Sequence, residues 1–251
     1  MAYDEGSDDC YWKIISKIRL RGSNVEFEAA LNLINSDDAI NRQIGVHILS
    51  QLDSGKNTYH VQAVDTLIPL LYDDHDDVIE AAAFGLGSRN DSKSVPHLLK
   101  LINHEHKGIR HGVALGLSCI EDDDAIQGLI QLSRDQDVDT RNWATFGLSQ
   151  QCDVNSPEVR RALKGRLKDS EAEVRGEALI GLALRNDPDV SSEIMRELKG
   201  EFFGSWAVEA AEIVGSSKFL QVLKDIKKAQ EGEIPTYILS QIEDAIQSCS
   251  N

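Results

Sequence analysis

Apolar residues recur along this chain at three- and four-residue spacing, in runs interrupted by Asp, Asn, Gly and Pro, and nowhere in the alternation of a half-buried strand. From Tyr11 to Leu20 the apolar residues Trp12, Ile15, Ile18 and Leu20 predict a leading amphipathic helix, stopped at Gly22 and Ser23. Val25 to Ile34, the polar turn Asn35-Ser36-Asp37-Asp38, and Ala39 to Leu52 then form one helical hairpin. The unit returns as Val61 to Tyr72 with Val78 to Ser88, Ser94 to Asn103 with Ile109 to Ile120, Asp124 to Arg134 with Thr140 to Gln151, and Pro157 to Leu167 with Val174 to Leu184. A weaker copy pairs Val190 to Lys199 with Trp206 to Val214, and Phe219 to Gln230 with Pro235 to Ser248 makes a degenerate end.

The second helices align. VIEAAAFGLGS, IRHGVALGLSC, TRNWATFGLSQ and VRGEALIGLAL fall into register with Gly85, Gly116, Gly147 and Gly181 superimposed, at spacings of 31, 31 and 34 residues. A period of this size marks stacked repeats, because a single hairpin cannot bury its apolar face without neighbours. The expected fold is an all-α solenoid of six or seven hairpins: an acidic leader and capping helix over 1–23, an array over 24–215, and a capping hairpin over 216–251. The leader MAYDEGSDD is expected to fray. Gly85 and Gly87 lie inside a repeated Ala-rich helix, which points to close helix packing and not to a nucleotide-binding loop. The turn residues Asp73, Asp135 and Asp169 are expected to cap the helices that follow.

A turn Asp, an apolar-Arg pair, an Ala-rich helix and Gly-Leu together resemble the HEAT repeat, in the short form found in phycobilin lyase subunits. The pair slots are Val78-Ile79, Ile109-Arg110, Thr140-Arg141 and Val174-Arg175, and the resemblance covers roughly 24–215. The strings NRQIGVHILSQL, DVDTRNWATFGL, VRGEALIGLALRND and VEAAEIVGSSKFLQVL are similar to bacterial HEAT-repeat proteins encoded beside Rhs-type polymorphic toxins and regarded as immunity proteins. The resemblance implies a HEAT-repeat α-solenoid and, with it, a role in holding a toxin domain.

Charge narrows the partners. With 26 Lys and Arg against 42 Asp and Glu, the formal charge of −16 repels a phosphate backbone, so no nucleic acid is expected as partner. The longest apolar runs, such as Ala178 to Leu184, fall far short of the ~20 residues of a membrane span. Cys10, Cys119, Cys152 and Cys249 are scattered without CxxC spacing, which fits a reducing cytoplasm, and Cys119 reads as a small core residue.

Catalytic chemistry finds little footing. In the cluster His104-Glu105-His106-Lys107-Gly108-Ile109-Arg110-His111, His104 and His106 lie in a turn and the HExxH spacing of a helical zinc site is lacking, so solvated turn histidines are the expected reading. Deoxyhypusine hydroxylase, another HEAT-repeat protein, holds iron with His-Glu pairs. The corresponding slots here are Glu80-Ala81, His111-Gly112, Asn142-Trp143, Gly176-Glu177 and Val208-Glu209, and none is intact. There is no GxSxG elbow, P-loop or GxGxxG with its acidic partner. The expectation is a non-enzyme without cofactor or metal, although the sequence offers no motif by which a phycobilin-lyase-like subunit could be set aside.

The candidate binding face comes from helix geometry. With the anchors Val78, Ile109, Thr140 and Val174 at zero, the position of Glu80, His111 and Asn142 lies at about 200°, and that of Phe84, Leu115, Phe146 and Ile180 at about 240°, at the edge of the apolar arc. Trp143, at about 300°, leans towards packing but is the strongest single candidate for a binding hot spot. Arg110, Arg141 and Arg175 recur one residue after the anchor, either as a ladder with turn carboxylates such as Asp135 and Asp169 or as direct partner contacts. Trp206 aligns with an anchor and is expected in the core, and Phe202-Phe203 falls in a turn. The candidate partner-binding set is Glu80, Phe84, Arg110, His111, Arg141, Asn142, Trp143, Phe146, Arg175 and Glu177. The functional expectation is a protein-binding module whose second helices line a concave surface: an immunity protein for a basic toxin domain, a general adaptor, or a lyase-like subunit.

Overall fold

A computed structural model of the protein describes residues 5–52, 58–200, 204–229 and 236–250, and these form fifteen α-helices and three short 3₁₀ segments with no strand. Contacts divide the chain into two compact units, Met1–Gly128 and Leu129–Asn251. The first contains α1 (Glu5–Arg21), α2 (Asn24–Ile34), α3 (Ala39–Gln51), α4 (His60–Leu70), α5 (Asp76–Arg89), α6 (Val95–Leu98) and α7 (Lys107–Ser118), and α8 (Asp123–Leu132) spans the division. The second contains α9 (Val138–Gln150), α10 (Pro157–Arg166), α11 (Ala172–Leu184), α12 (Val190–Leu198), α13 (Ser205–Val214), α14 (Leu220–Ala229) and α15 (Thr236–Ser248).

In the first unit α3, α5 and α7 pack side by side, with α2, α4 and α6 against them. In the second, α9, α11, α13 and α15 form the corresponding row, and α10, α12 and α14 pack behind α11, α13 and α15. The architecture is an α-solenoid. Its core follows the aligned sequence: Val78, Ala82 and Leu86, then Ile109, Val113 and Leu117, Thr140, Ala144 and Leu148, and Val174 and Ala178 are fully buried at every fourth residue of their helices. Each Leu or Ile so removed from water contributes about 1.5–3 kcal/mol before entropy is counted.

Glycines of the second helices, Gly116 and Gly181 of the aligned set and Gly87 beside it, mark lines of close approach. A Cβ on Gly116 would stand 2.8 Å from the Ala83 carbonyl oxygen, one on Gly181 2.9 Å from Ser149 Cα, and one on Gly87 2.6 Å from the Leu115 carbonyl oxygen. Neighbouring second helices therefore touch backbone to backbone at these points, as the FGLG pattern implied.

Several local expectations change. The first helix of the third hairpin is not continuous over Ser94 to Asn103: a 3₁₀ turn at Ser92–Ser94, the single turn α6, and a second 3₁₀ turn at Leu99–Leu101 replace it. Pro96 has no amide to offer the Ser92 carbonyl, which accepts instead from Val95 N–H in a tighter ring. The leader is helical from Glu5, ahead of the expected Tyr11, while residues 1–4 lie outside the described residues. On α1, Ile15 is buried but Trp12 and Leu20 are exposed. Cys119 is exposed and not in the core, because it sits at the C-cap of α7 where the helical arc has ended. Among the described residues no helix is long and apolar enough to cross a membrane.

Candidate functional site

The arginines that follow three of the anchors, and Arg42 near the start of α3, build the inter-helix turns. Arg42 Nη1 donates to the Ser36 and Asp37 carbonyls, Arg110 Nη1 to those of His104 and Glu105, Arg141 Nη1 to those of Asp135 and Gln136, and Arg175 Nη1 to those of Asp169 and Ser170, all at 2.8–3.2 Å. Each guanidinium thus holds the turn preceding its own helix. Two also reach the turn of the next hairpin: Arg42 pairs with Asp73 at 2.7 Å, and Arg141 with Asp169 at 3.1 Å through both Nε and Nη2. Arg175 lies 3.6 Å from Glu197. The side chain of Arg110 is buried, so it is not displayed on the surface as a partner contact would be.

Asp73 and Asp169 serve this ladder with their carboxylates, and the turn aspartates do not themselves stand at the N-cap positions. Asp73, Asp135 and Asp169 accept the N–H groups of His75, Asp137 and Glu171, which are themselves the N-cap residues. Capping by side chains comes from Ser23, Asp38, Asp137 and Ser156. Burial alone would raise the Asp169 carboxyl, but hydrogen bonds from Arg141 and the Glu171 amide, with the charges of Arg141 and Arg166, hold it below its ordinary value.

A second pair of arginines, not singled out by the helix pattern, stands at the other end of the second helices in the repeated string Arg-Asn-Asp. Arg89 Nη2 donates to the Leu49 and Leu52 carbonyls. Arg185 donates to those of Leu148, Ser149, Cys152, Val154 and Gly181. The following residues, Asn90 and Asn186, take the left-handed conformation at φ 49° and 50°, which Asn tolerates better than most side chains.

In the first unit, Glu80, Phe84 and His111 line one cavity of about 430 Å³ together with Trp12, His47 and Asp77. The Trp12 and His47 rings lie 5.1 Å apart, and burial pushes the His47 pKa down. The Glu80 carboxylate occupies the space left by Gly108 in the first turn of α7 and lies 4.0 Å from His106 Nδ1. An acid placed at a helix N-terminus is favourable there, so Glu80 has a structural role in addition to lining the cavity. The turn itself is held in part by its histidines, His104 Nδ1 accepting from the His106 amide. Among the described residues no group of His, Cys, Asp and Glu is arranged to hold a metal.

In the second unit, α9 carries Asn142, Trp143 and Phe146, and the adjoining α11 carries Glu177. Trp143 is 39 % exposed and meets Phe146 edge-on at 5.4 Å. Asn142 Nδ2 reaches Glu173 at 3.5 Å, and Gln150 Nε2 donates to Glu177 at 2.8 Å. Trp206 is half-buried and not in the core: its ring covers the Cα of Gly176, where a Cβ would stand 2.4 Å from Cγ, which brings it beside Glu177, the next residue. Burial pushes the Glu177 carboxyl up, with the charges of Glu209 and Glu173 adding to it against the bond from Gln150. Ile180, aligned with Phe84 and Phe146, is buried, and Phe202-Phe203 lies outside the described residues.

Of the ten candidates, Glu80, Phe84 and His111 share the cavity of the first unit, and Asn142, Trp143, Phe146 and Glu177 lie on α9 and α11 of the second. Arg110, Arg141 and Arg175 belong to the turns. Gln150, Glu173, Trp206 and Glu209 were not anticipated. Gly176, opposite the bulky side chains of the sister helices, was the signal that something large from the next repeat fills that slot.

This row of paired helices with arginine-held turns defines an α-solenoid repeat protein. The family model for HEAT repeats matches residues 64–149. Among solved structures, the Escherichia coli protein YibA is similar over 93 % of this chain and 85 % of its own, at 26 % identity and a TM-score of 0.69. The complex of CpcE and CpcF of phycocyanin lyase from Nostoc is similar over 88 % and 94 %, at 17 % identity and 0.55, and an engineered protein over 91 % and 97 %, at 18 % and 0.52. The last two share the fold alone. No curated protein matches the sequence.

Proposed function

We propose that this chain is a non-enzymatic protein-binding HEAT-repeat module, and that its partner is a toxin domain which it holds as an immunity protein. The observation that carries the binding reading is Trp143, standing 39 % exposed and edge-on to Phe146. A partly exposed tryptophan beside a second ring on a helical scaffold is the kind of group that dominates interface energetics. The toxin reading is supported by the resemblance of the repeat strings to immunity proteins, and by an acidic surface suited to a basic partner.

Co-expression with a Rhs-type toxin domain encoded beside the gene tests it. Wild-type protein is expected to restore growth, and the Trp143→Ala/Phe146→Ala variant to lose most of that protection while remaining folded. Absence of rescue at excess wild-type protein would end the immunity reading for that pair. Unchanged rescue by the double variant would remove this face from the interface.

A further inference from the structure

The open face of α9, α11 and α13 has an unusual charge inventory. These three helices carry five acids, Asp139, Glu173, Glu177, Glu209 and Glu212, and only two cations, Arg141 and Arg175. Both cations are committed at the turns, Arg141 to the Asp135 and Gln136 carbonyls and the Asp169 carboxylate, Arg175 to the Asp169 and Ser170 carbonyls. The centre of the face is therefore supplied with carboxylates and aromatic rings and with no cation of its own helices to neutralise them.

The carboxylates stand beside the rings. Gln150 Nε2 donates to Glu177 at 2.8 Å, the Trp206 ring covers Gly176 one residue before it, and Trp143 lies on α9 next to the same α11. Burial, followed by the charges of neighbouring glutamates, raises the Glu177 and Glu209 carboxyls. Packed carboxylates that repel one another cost the free protein stability, and a cation brought among them removes that cost. A guanidinium suits the position better than an ammonium. It is planar, stacks on an indole, and presents several N–H donors to carboxylates at once.

We propose that this face seats an arginine-bearing segment of the protein partner, its guanidinium groups stacked on Trp143 and Trp206 and paired with Glu177 and Glu209. The assignment rests on the protein-binding reading of the same face and names what it takes.

The test uses the full chain and a fluorescein-labelled nonapeptide of alternating Arg and Gly, read by anisotropy at about 0.1 M salt, where surface attraction is largely screened. Peptides with Gln or Lys in place of Arg are the comparisons. The Arg peptide is expected to bind about tenfold or more tighter than the Gln peptide and severalfold tighter than the Lys peptide. Glu177→Gln/Glu209→Gln should weaken it about tenfold, and Trp143→Ala severalfold. The charge-matched Glu158→Gln/Asp225→Asn, both exposed and on α10 and α14 behind the row of second helices, should change it less than about threefold.

Equal weakening by the two double variants, or equal binding of the Gln peptide, overturns the proposal. A thermal melt of each variant shows that it is folded. Growth rescue lost in Trp143→Ala/Phe146→Ala but kept in Glu177→Gln/Glu209→Gln would leave the binding reading in place and overturn the arginine seat. Site-specific Arg-peptide binding with no rescue by wild type would sustain the seat and end the toxin reading.

Discussion

Arg185 shows how much one side chain can hold. Its guanidinium is buried and donates to five carbonyls, including Leu148 and Ser149 in the last turn of α9 and Cys152 just beyond it. Carbonyls at a helix C-terminus have no helical amide to accept from, so this arginine does for α9 what a cap does elsewhere. Arg185→Ala is expected to cost about 3–5 kcal/mol in urea denaturation, since several buried acceptors lose their donor together. Arg185→Lys should recover less than half, an ammonium being unable to span the same set. A loss under about 1 kcal/mol for the alanine variant would show that these carbonyls are satisfied otherwise. Asp169 is the matching acceptor, taking Arg141, Arg166 and the Glu171 amide. Asp169→Ala should cost about 2 kcal/mol, and a double-mutant cycle with Arg141→Ala should show coupling near ~1 kcal/mol.

Helix contacts put the glycines to different uses. Gly87 and Gly116 let α5 and α7 approach until a Cβ on either would meet backbone atoms under 3 Å away. Gly87→Ala or Gly116→Ala must push the helices apart, at about 1–3 kcal/mol each. At Gly165 of α10 an added Cβ would meet nothing within 4 Å, so Gly165→Ala is expected to be neutral or to stabilise by up to about 1 kcal/mol through helix propensity. Chemical denaturation of the three variants separates these outcomes, and a stabilising Gly116→Ala would refute the close-contact account. The FGLG string announced such contacts because glycine is otherwise a poor residue inside a helix. The same reading did not reach Trp206. An anchor position inferred from period alone does not tell whether a large ring fits beneath the neighbouring helix or slides over a bare Cα, and Gly176 allows the second.

Across the whole molecule, two sets of carboxyls pull stability in opposite directions with pH. At Asp169 and Asp187 burial is outweighed by hydrogen bonds from Arg141, Lys164, Arg160 and backbone amides, so the folded carboxyls titrate below their unfolded value. Their contribution is present above about pH 4 and is lost as pH falls through the lower folded value. Glu177 and Glu209 are raised by burial and by neighbouring glutamates, so they disfavour the fold once pH rises past the unfolded value, and fully above the folded one. Glu177→Gln/Glu209→Gln should therefore be more stable than wild type at about pH 7, with the difference vanishing near about pH 3. Thermal melts across that range check the sign, and a variant less stable at neutral pH would show that the bond from Gln150 outweighs the repulsion. The net charge of −16 adds self-repulsion, so the thermal midpoint at pH 7 is expected to rise with added salt.

Period, glycine register and turn punctuation determined the hairpins, their order and most of the core, because those features follow from which residues one helix must bury against the next. Thr140, Ala144 and Leu148 could be assigned to the core from sister sequences, and they are fully buried. The ladder through Arg141 and Asp169 was one of two readings open at the sequence level, and the geometry of both partners decides for it. What the sequence did not reveal depends on neighbours distant along the chain. Arg89 and Arg185 sit past the apolar pattern, and their buried guanidiniums follow from carbonyls more than thirty residues earlier. The exposure of Trp143, the burial of Arg110 and Ile180, and the approach of Trp206 to Gly176 were likewise decided in the tertiary structure. A position near the edge of a helical arc is covered or left open by whichever side chain the adjoining helix brings to it, and periodicity within one helix does not record that.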